Sequence, residues 1–306
     1  MGYFIRKGIH PFQVWKIDDQ TAVRLGVTNP ERGAGTYYKA EPGETIWDAI
    51  RRCTPWFQPH GENPFVATVL EPGEYFPRMA RPTEQTIYRS GFGWYPNAKD
   101  HADSIALARV QLTALARQLD RICQTVHPSI KTFDVFGHDI RNLLILACTE
   151  VENHWREVLV ANGVIEDRYN TGHYVKLRKP MKLDEYAVAF PNYPWIEPLK
   201  PFDGWGDTGR PTQDLGWYDA YNAVKHARET EFERGTLRHL FSAISACAVM
   251  IVAQFGLHAE LEKSAELRSF FHFSATPAWG FSEIYVSPYD SPTGEWRVTS
   301  YDFSRC

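Results

Sequence analysis

The chain has 306 residues and sets 33 Lys and Arg against 37 Asp and Glu, for a net charge of −4. With 43% hydrophobic and 23% charged residues it is not a disordered chain, and its slightly acidic balance argues against coating nucleic acid through bulk charge. Any nucleic-acid role therefore needs a local patch, and 10 Trp, 15 Tyr and 18 Phe promise heavily aromatic packing.

Residues 1–98 are punctuated by Pro and Gly. Runs rich in β-branched and aromatic residues at 12–17, 21–27 and 65–70 read as strands, bounded by turns such as Glu41-Pro42-Gly43 and Glu71-Pro72-Gly73. Residues 45–52 read as a short helix capped by Thr45. Together these form a small β-rich module.

From residue 99 the period changes. Ile105, Ala108, Leu112, Leu115, Leu119, Ile122 and Val126 alternate spacings of three and four, which predicts a helix over 100–126 that stops before Pro128. A second helix is predicted over 134–162, with the stripe Ile140, Leu144, Ala147, Val151, His154 and Val158 and a stop at Gly163. A third runs over 214–232, carrying Trp217, Ala220, Tyr221, Val224 and Arg228 on one face. A fourth runs over 236–255, carrying Leu237, Phe241, Ile244, Ala248, Ile251 and Phe255. Four helices with one apolar face each are covered most simply as a four-helix bundle, so the fold class reads as mainly α. The bundle spans 99–269, interrupted by a Pro- and ring-rich insertion over 163–211 that reads as an ordered cover. Residues 270–306 form a C-terminal extension. A β-hairpin is expected there from Ile284-Tyr285-Val286 and Trp296-Arg297-Val298 around a turn at 288–294.

The cysteines Cys53, Cys123, Cys148, Cys247 and Cys306 are scattered and include no C-x-x-C pair, so neither a zinc knuckle nor a thioredoxin-like site is suggested. The N-terminus has no apolar run long enough for a signal peptide. The longest apolar stretch, 243–255, reads as a buried helix rather than a membrane span, and the chain as cytoplasmic. Phosphate-loop, dinucleotide, nucleophile-elbow and zincin motifs are missing, so no cofactor and no metal are expected. His138-Asp139 is a poor bidentate site, because neighbours on a helix point about 100° apart.

The densest polar constellation is Trp217-Tyr218-Asp219-Ala220-Tyr221-Asn222-Ala223-Val224-Lys225-His226-Ala227-Arg228. Tyr-Asn-x-x-Lys-His-x-Arg followed by an apolar helix resembles a group of bacterial helical proteins and the HEPN superfamily, helical bundles often found as ribonucleases of toxin–antitoxin and anti-phage systems. Asn222 and His226 match two positions of that family's Arg-polar…His motif, and Tyr221 stands where the motif has Arg. The resemblance covers roughly residues 134–256. It implies a homodimer that binds RNA or a nucleotide and a metal-independent cleavage, with His226 as acid or base and Asn222 holding it or the phosphate. Lys225 or Arg228 would replace the missing Arg. The alternative is a non-catalytic interaction module in which the cluster is a structural network.

Helical geometry puts Asp219, Asn222 and His226 opposite the apolar face, as solvent surface or as half of an interface. Arg228, on the inner face, calls for a carboxylate partner, with Glu150 the leading candidate. Glu150 and His154, four residues apart, read either as a buried clamp or as a carboxylate orienting a catalytic His. Arg234 and His239, at the start of the fourth helix, form a further Arg–His pair. Lys176, Arg178 and Lys179 lie in the one strongly basic segment, read as an edge strand or as a source of phosphate contacts.

Overall fold

The computed structural model describes residues 1–8, 12–57, 62–82, 96, 99–256, 261, 264–288 and 295–305. The chain forms two compact units, each discontinuous in sequence. One comprises Met1–Phe76, Arg81–Pro96 and Ala278–Thr299; the other comprises Pro77–Ala80, Asn97–Pro277 and Ser300–Cys306.

The first unit is built on an antiparallel five-stranded sheet. Its strands are β1 (Gly2–Arg6), β2 (Gln13–Ile17), β3 (Thr21–Arg24), β4 (Tyr37–Lys39) and β5 (Phe65–Ala67), in the order β4-β3-β2-β1-β5. The expected strands at 12–17, 21–27 and 65–70 are present but shorter, while β1 and β4 carry no pattern that marks them in isolation. Alternation along the strands splits the core in two. Trp15 and Ile17 face Tyr38, Phe57, Phe65 and helix α1 (Ile46–Cys53), whereas Val14 and Ile5 face Phe12, Trp279, Ile284 and Val286. The Thr45 hydroxyl accepts from the Asp48 amide at 3.2 Å and so starts α1 where the sequence places its cap.

The expected C-terminal hairpin does not form. Arg297–Val298 is a two-residue strand that pairs in parallel with Glu74–Tyr75, and residues 284–286 are not a strand. Gly73 lies between the two runs. Its amide donates to the Val286 carbonyl at 2.7 Å, and its own carbonyl accepts from the Arg297 amide at 2.7 Å. Gly73 holds φ at +85°, and a Cβ there would lie 2.7 Å from the Pro288 ring, so only glycine fits between them. The turn expected at 288–294 falls, after Pro288, outside the described residues.

The second unit is mainly helical. Helices α2 (Ala102–Thr125), α3 (His138–Ala161), α4 (Gly216–His226) and α5 (Leu237–Phe255) pack against one another, with α5 touching the other three. All six stripe residues expected on α3 and all six on α5 are buried, as are the first five on α2. α5 is long and apolar enough to cross a membrane, yet every residue of 243–255 is buried inside the unit. Thr236 caps it through the His239 amide.

Two helix boundaries differ from the pattern. α3 begins at His138 rather than near 134, because residues 133–136 pair with the chain entering α5: the Leu237 amide donates to the Val135 carbonyl, and Phe136 bridges Thr236. α4 ends at His226 instead of running to 232. Arg141 of α3 donates to the Val224 carbonyl from Nη2 at 2.9 Å and from Nε at 3.3 Å, taking the acceptor that a continuing helix would offer four residues on. After Ala227 the chain resumes as one α-turn, Arg228–Glu231, that runs into the 3₁₀ turn Phe232–Arg234.

The insertion over 163–211 is an ordered aromatic cover. Trp155 of α3 stacks on Trp205 with ring centroids 4.8 Å apart and also meets Tyr174, Phe202, Trp217 and Tyr218. A short strand β6 (Ala187–Ala189) pairs antiparallel with β7 (His272–Ala275). The basic segment is no edge strand: residues 175–177 form a 3₁₀ turn and 178–182 continue as turns, with Lys182 at φ +50°.

Candidate functional site

Most of the motif residues on α4 are engaged within the unit. Tyr221, in the position of the motif Arg, is fully buried. Its hydroxyl donates to Glu152 of α3 at 3.3 Å and accepts from Lys225 Nζ at 2.7 Å, and the Tyr218 hydroxyl donates to the other Glu152 oxygen. The result is a chain of donors, Lys225 to Tyr221 to Glu152, closed by Tyr218. Burial raises both tyrosines above the ordinary phenol range, and the Tyr221 hydroxyl raises Lys225. Both phenols therefore keep their protons at neutral pH and neither is poised as a base. Asn222 donates to the Tyr218 carbonyl at 2.9 Å in its own helix.

His226 ends α4, exposed, as the outward reading expects. Asp219, on the same side, is engaged by Arg234, which also reaches Glu231 at 3.5 Å. Arg234 is thus an intramolecular tie, and the His239 ring contacts the Arg234 carbonyl at 2.7 Å rather than facing solvent beside it. Lys225 is exposed but stays on Tyr221. The side chain of Arg228 lies outside the described residues, and with it the expected pairing to Glu150.

Glu150 meets His154, Oε1 to Nε2 at 3.5 Å. His154 is 3% exposed and touches Gln254 Nε2 through Nδ1 at 3.0 Å, while Gln254 accepts from Arg78 at 3.0 Å. Desolvation, helped by the charge of Arg78, holds His154 down to about 3, and burial raises Glu150. A neutral, enclosed imidazole of this kind fixes the pairing of α3 and α5 and is not open to a substrate.

Comparison with family models, with curated proteins and with solved structures finds no match to this chain.

The basic segment divides. Arg178 is held by Asp184 at 2.9 Å, by Asp207 and by the Trp205 carbonyl, so it pins the aromatic cover and is not available to phosphate. Lys176 is half-buried and Lys179 exposed, both without an ion pair among the described residues. No group of three or more His, Cys, Asp or Glu able to hold a metal occurs among the described residues.

Sequence reasoning missed the Glu152 anchor and the Arg141 cap. A signal existed for the first: Tyr221 and Lys225 are four apart, as helix neighbours must be, and Tyr218 lies one turn before Tyr221. Replacing Tyr221 with Phe should lower stability by about 1.5 kcal/mol, because a half-buried carboxylate and an ammonium both lose a partner. An unchanged urea midpoint would show that the hydroxyl chain contributes nothing.

Proposed function

We propose that α2, α3, α4 and α5 form a HEPN-like four-helix bundle that binds RNA or a nucleotide without cutting it. The observation that supports the second half is the engagement of the motif side chains: Tyr221, Asn222 and Lys225 each have an intramolecular partner, while exposed His226 has none among the described residues. With Lys225 committed to Tyr221, the imidazole has no cation free beside it among the described residues, and so lacks the charge stabilisation that attack by a ribose hydroxyl on phosphate demands. Only a second copy of the chain facing His226 could enclose a phosphate there, and the homodimer belongs to this proposal for that reason. Binding is the part of the family's chemistry that survives loss of the motif Arg.

The test is fluorescence anisotropy of labelled single-stranded RNA with the full chain in EDTA, followed by electrophoresis of the same RNA. Saturable binding with the RNA left intact is expected. Cleavage that disappears in His226→Ala would overturn the non-catalytic half and assign a metal-independent ribonuclease. A chain that binds neither RNA nor mononucleotides is an interaction module for a different class of partner.

A further inference from the structure

A groove of about 720 Å³ opens between the C-terminal half of α2 and the first turns of α3. That is within the ~300–1,000 Å³ common for small-molecule sites. Its walls differ in chemistry. Gln118 and Arg121 project from α2, both exposed and neither with a hydrogen-bond or ion-pair partner among the described residues. Opposite them stand Phe136, His138 and Asn142. Phe136 is 47% exposed, an unusual state for a phenylalanine. It meets Phe232 nearly at right angles, with centroids 6.0 Å apart, and His138 lies over the same Phe232 at 4.9 Å.

This aromatic wall is held firmly. The β-bridge of Phe136 to Thr236 and the bonds from Leu237 to Val135 and from Arg238 to Phe133 fix the backbone that carries it. Just beyond Val126, a lining residue, His127 lies against the half-exposed Trp195 at 5.1 Å, and the Trp195 indole donates to the Pro128 carbonyl at 2.7 Å. An open ring faced by an unpaired guanidinium with amides alongside is what a nucleoside phosphate needs: a surface for the base, donors and acceptors for its edge, and a cation for the phosphate. Asp139 stands in the first turn of α3, so the phosphate belongs on the α2 side at Arg121 and the base on the α3 side, where Asp139 can accept from an exocyclic amine.

We infer that this groove is the nucleotide-binding site of the chain, taking a nucleoside phosphate unit whose base carries an exocyclic amine, free or within single-stranded RNA, with its base against Phe136 and its phosphate on Arg121. The inference rests on the reading of the chain as an RNA or nucleotide binder and locates that binding away from the motif helix.

The test titrates a labelled oligoadenylate by fluorescence anisotropy, with adenosine monophosphate as competitor. Phe136→Ala and Arg121→Ala should each weaken binding about tenfold. Arg121→Ala should also flatten the dependence of log affinity on log salt by about 0.7, the loss of one phosphate contact to a single strand. Arg121 is exposed, so its variant should melt with wild type, while Phe136→Ala gives up the Phe232 contact and should melt slightly lower with its transition still cooperative. Competition by the monophosphate assigns a free nucleotide; binding of the oligomer alone assigns RNA. Wild-type binding that both variants retain would overturn the groove and leave the proposed function standing. No binding by wild type would overturn both.

Discussion

Trp155→Ala should destabilise the helical unit by about 3–5 kcal/mol, the range for truncating a large aromatic in a packed core. Trp155 is wholly buried on α3 and is the ring on which the cover over 163–211 converges, stacked on Trp205 and in contact with Tyr174, Phe202, Trp217 and Tyr218. Removing it opens a cavity lined by large rigid rings, which cannot collapse as aliphatic side chains do. The loss should be read from chemical denaturation followed by near-ultraviolet circular dichroism, since the stacked indoles report the same region. Trp155→Phe should recover much of the stability. A midpoint shift below about 1 kcal/mol would mean that the cover packs independently of α3.

The second large effect is on acid stability. His154 is held down to about 3 in the fold, whereas an unfolded His titrates near 6.5, so between those values the unfolded chain carries a proton that the folded chain does not. Stability is therefore complete above pH 6.5 and falls as pH drops toward 3. The cost reaches about 3 kcal/mol by pH 4.5, at about 1.4 kcal/mol per unit. Glu150, raised by burial, works in the other direction and offsets part of the loss, because the fold favours its protonated form as pH drops. The other groups around the ring are Gln254, which is neutral, and Arg78, whose charge opposes protonation throughout; Glu157 lies 3.8 Å from Arg78. His154→Gln removes the titration, and its stability should fall less steeply between pH 6.5 and 4.5 than that of wild type. Parallel curves for the two proteins would place the acid sensitivity elsewhere.

The sequence by itself determined the helical half of the protein. The stripes of α2, α3 and α5 were legible because an amphipathic helix repeats its burial every three or four residues, and over 19 to 24 residues that period outweighs local exceptions. Local chemistry also fixed the Thr45 cap and the stop at Gly163, which holds φ at +83°. The outward position of His226 followed from the same geometry. Tertiary structure decided what the period does not encode. β1 and β4 exist because β2 and β3 offer them ladders, and Arg297–Val298 pairs with Glu74–Tyr75 because Gly73 fits between two runs that were expected to pair with each other. The end of α4 was set by Arg141, 83 residues earlier, taking one carbonyl. The engagement of the motif residues has the same origin. Whether a Lys, an Asn or an Arg is available to a ligand depends on which carboxylates and carbonyls the fold brings to it. Glu152 and the Tyr218 carbonyl engaged the motif residues, Asp184 and Asp207 engaged Arg178, and Arg121 was left exposed without an ion pair among the described residues.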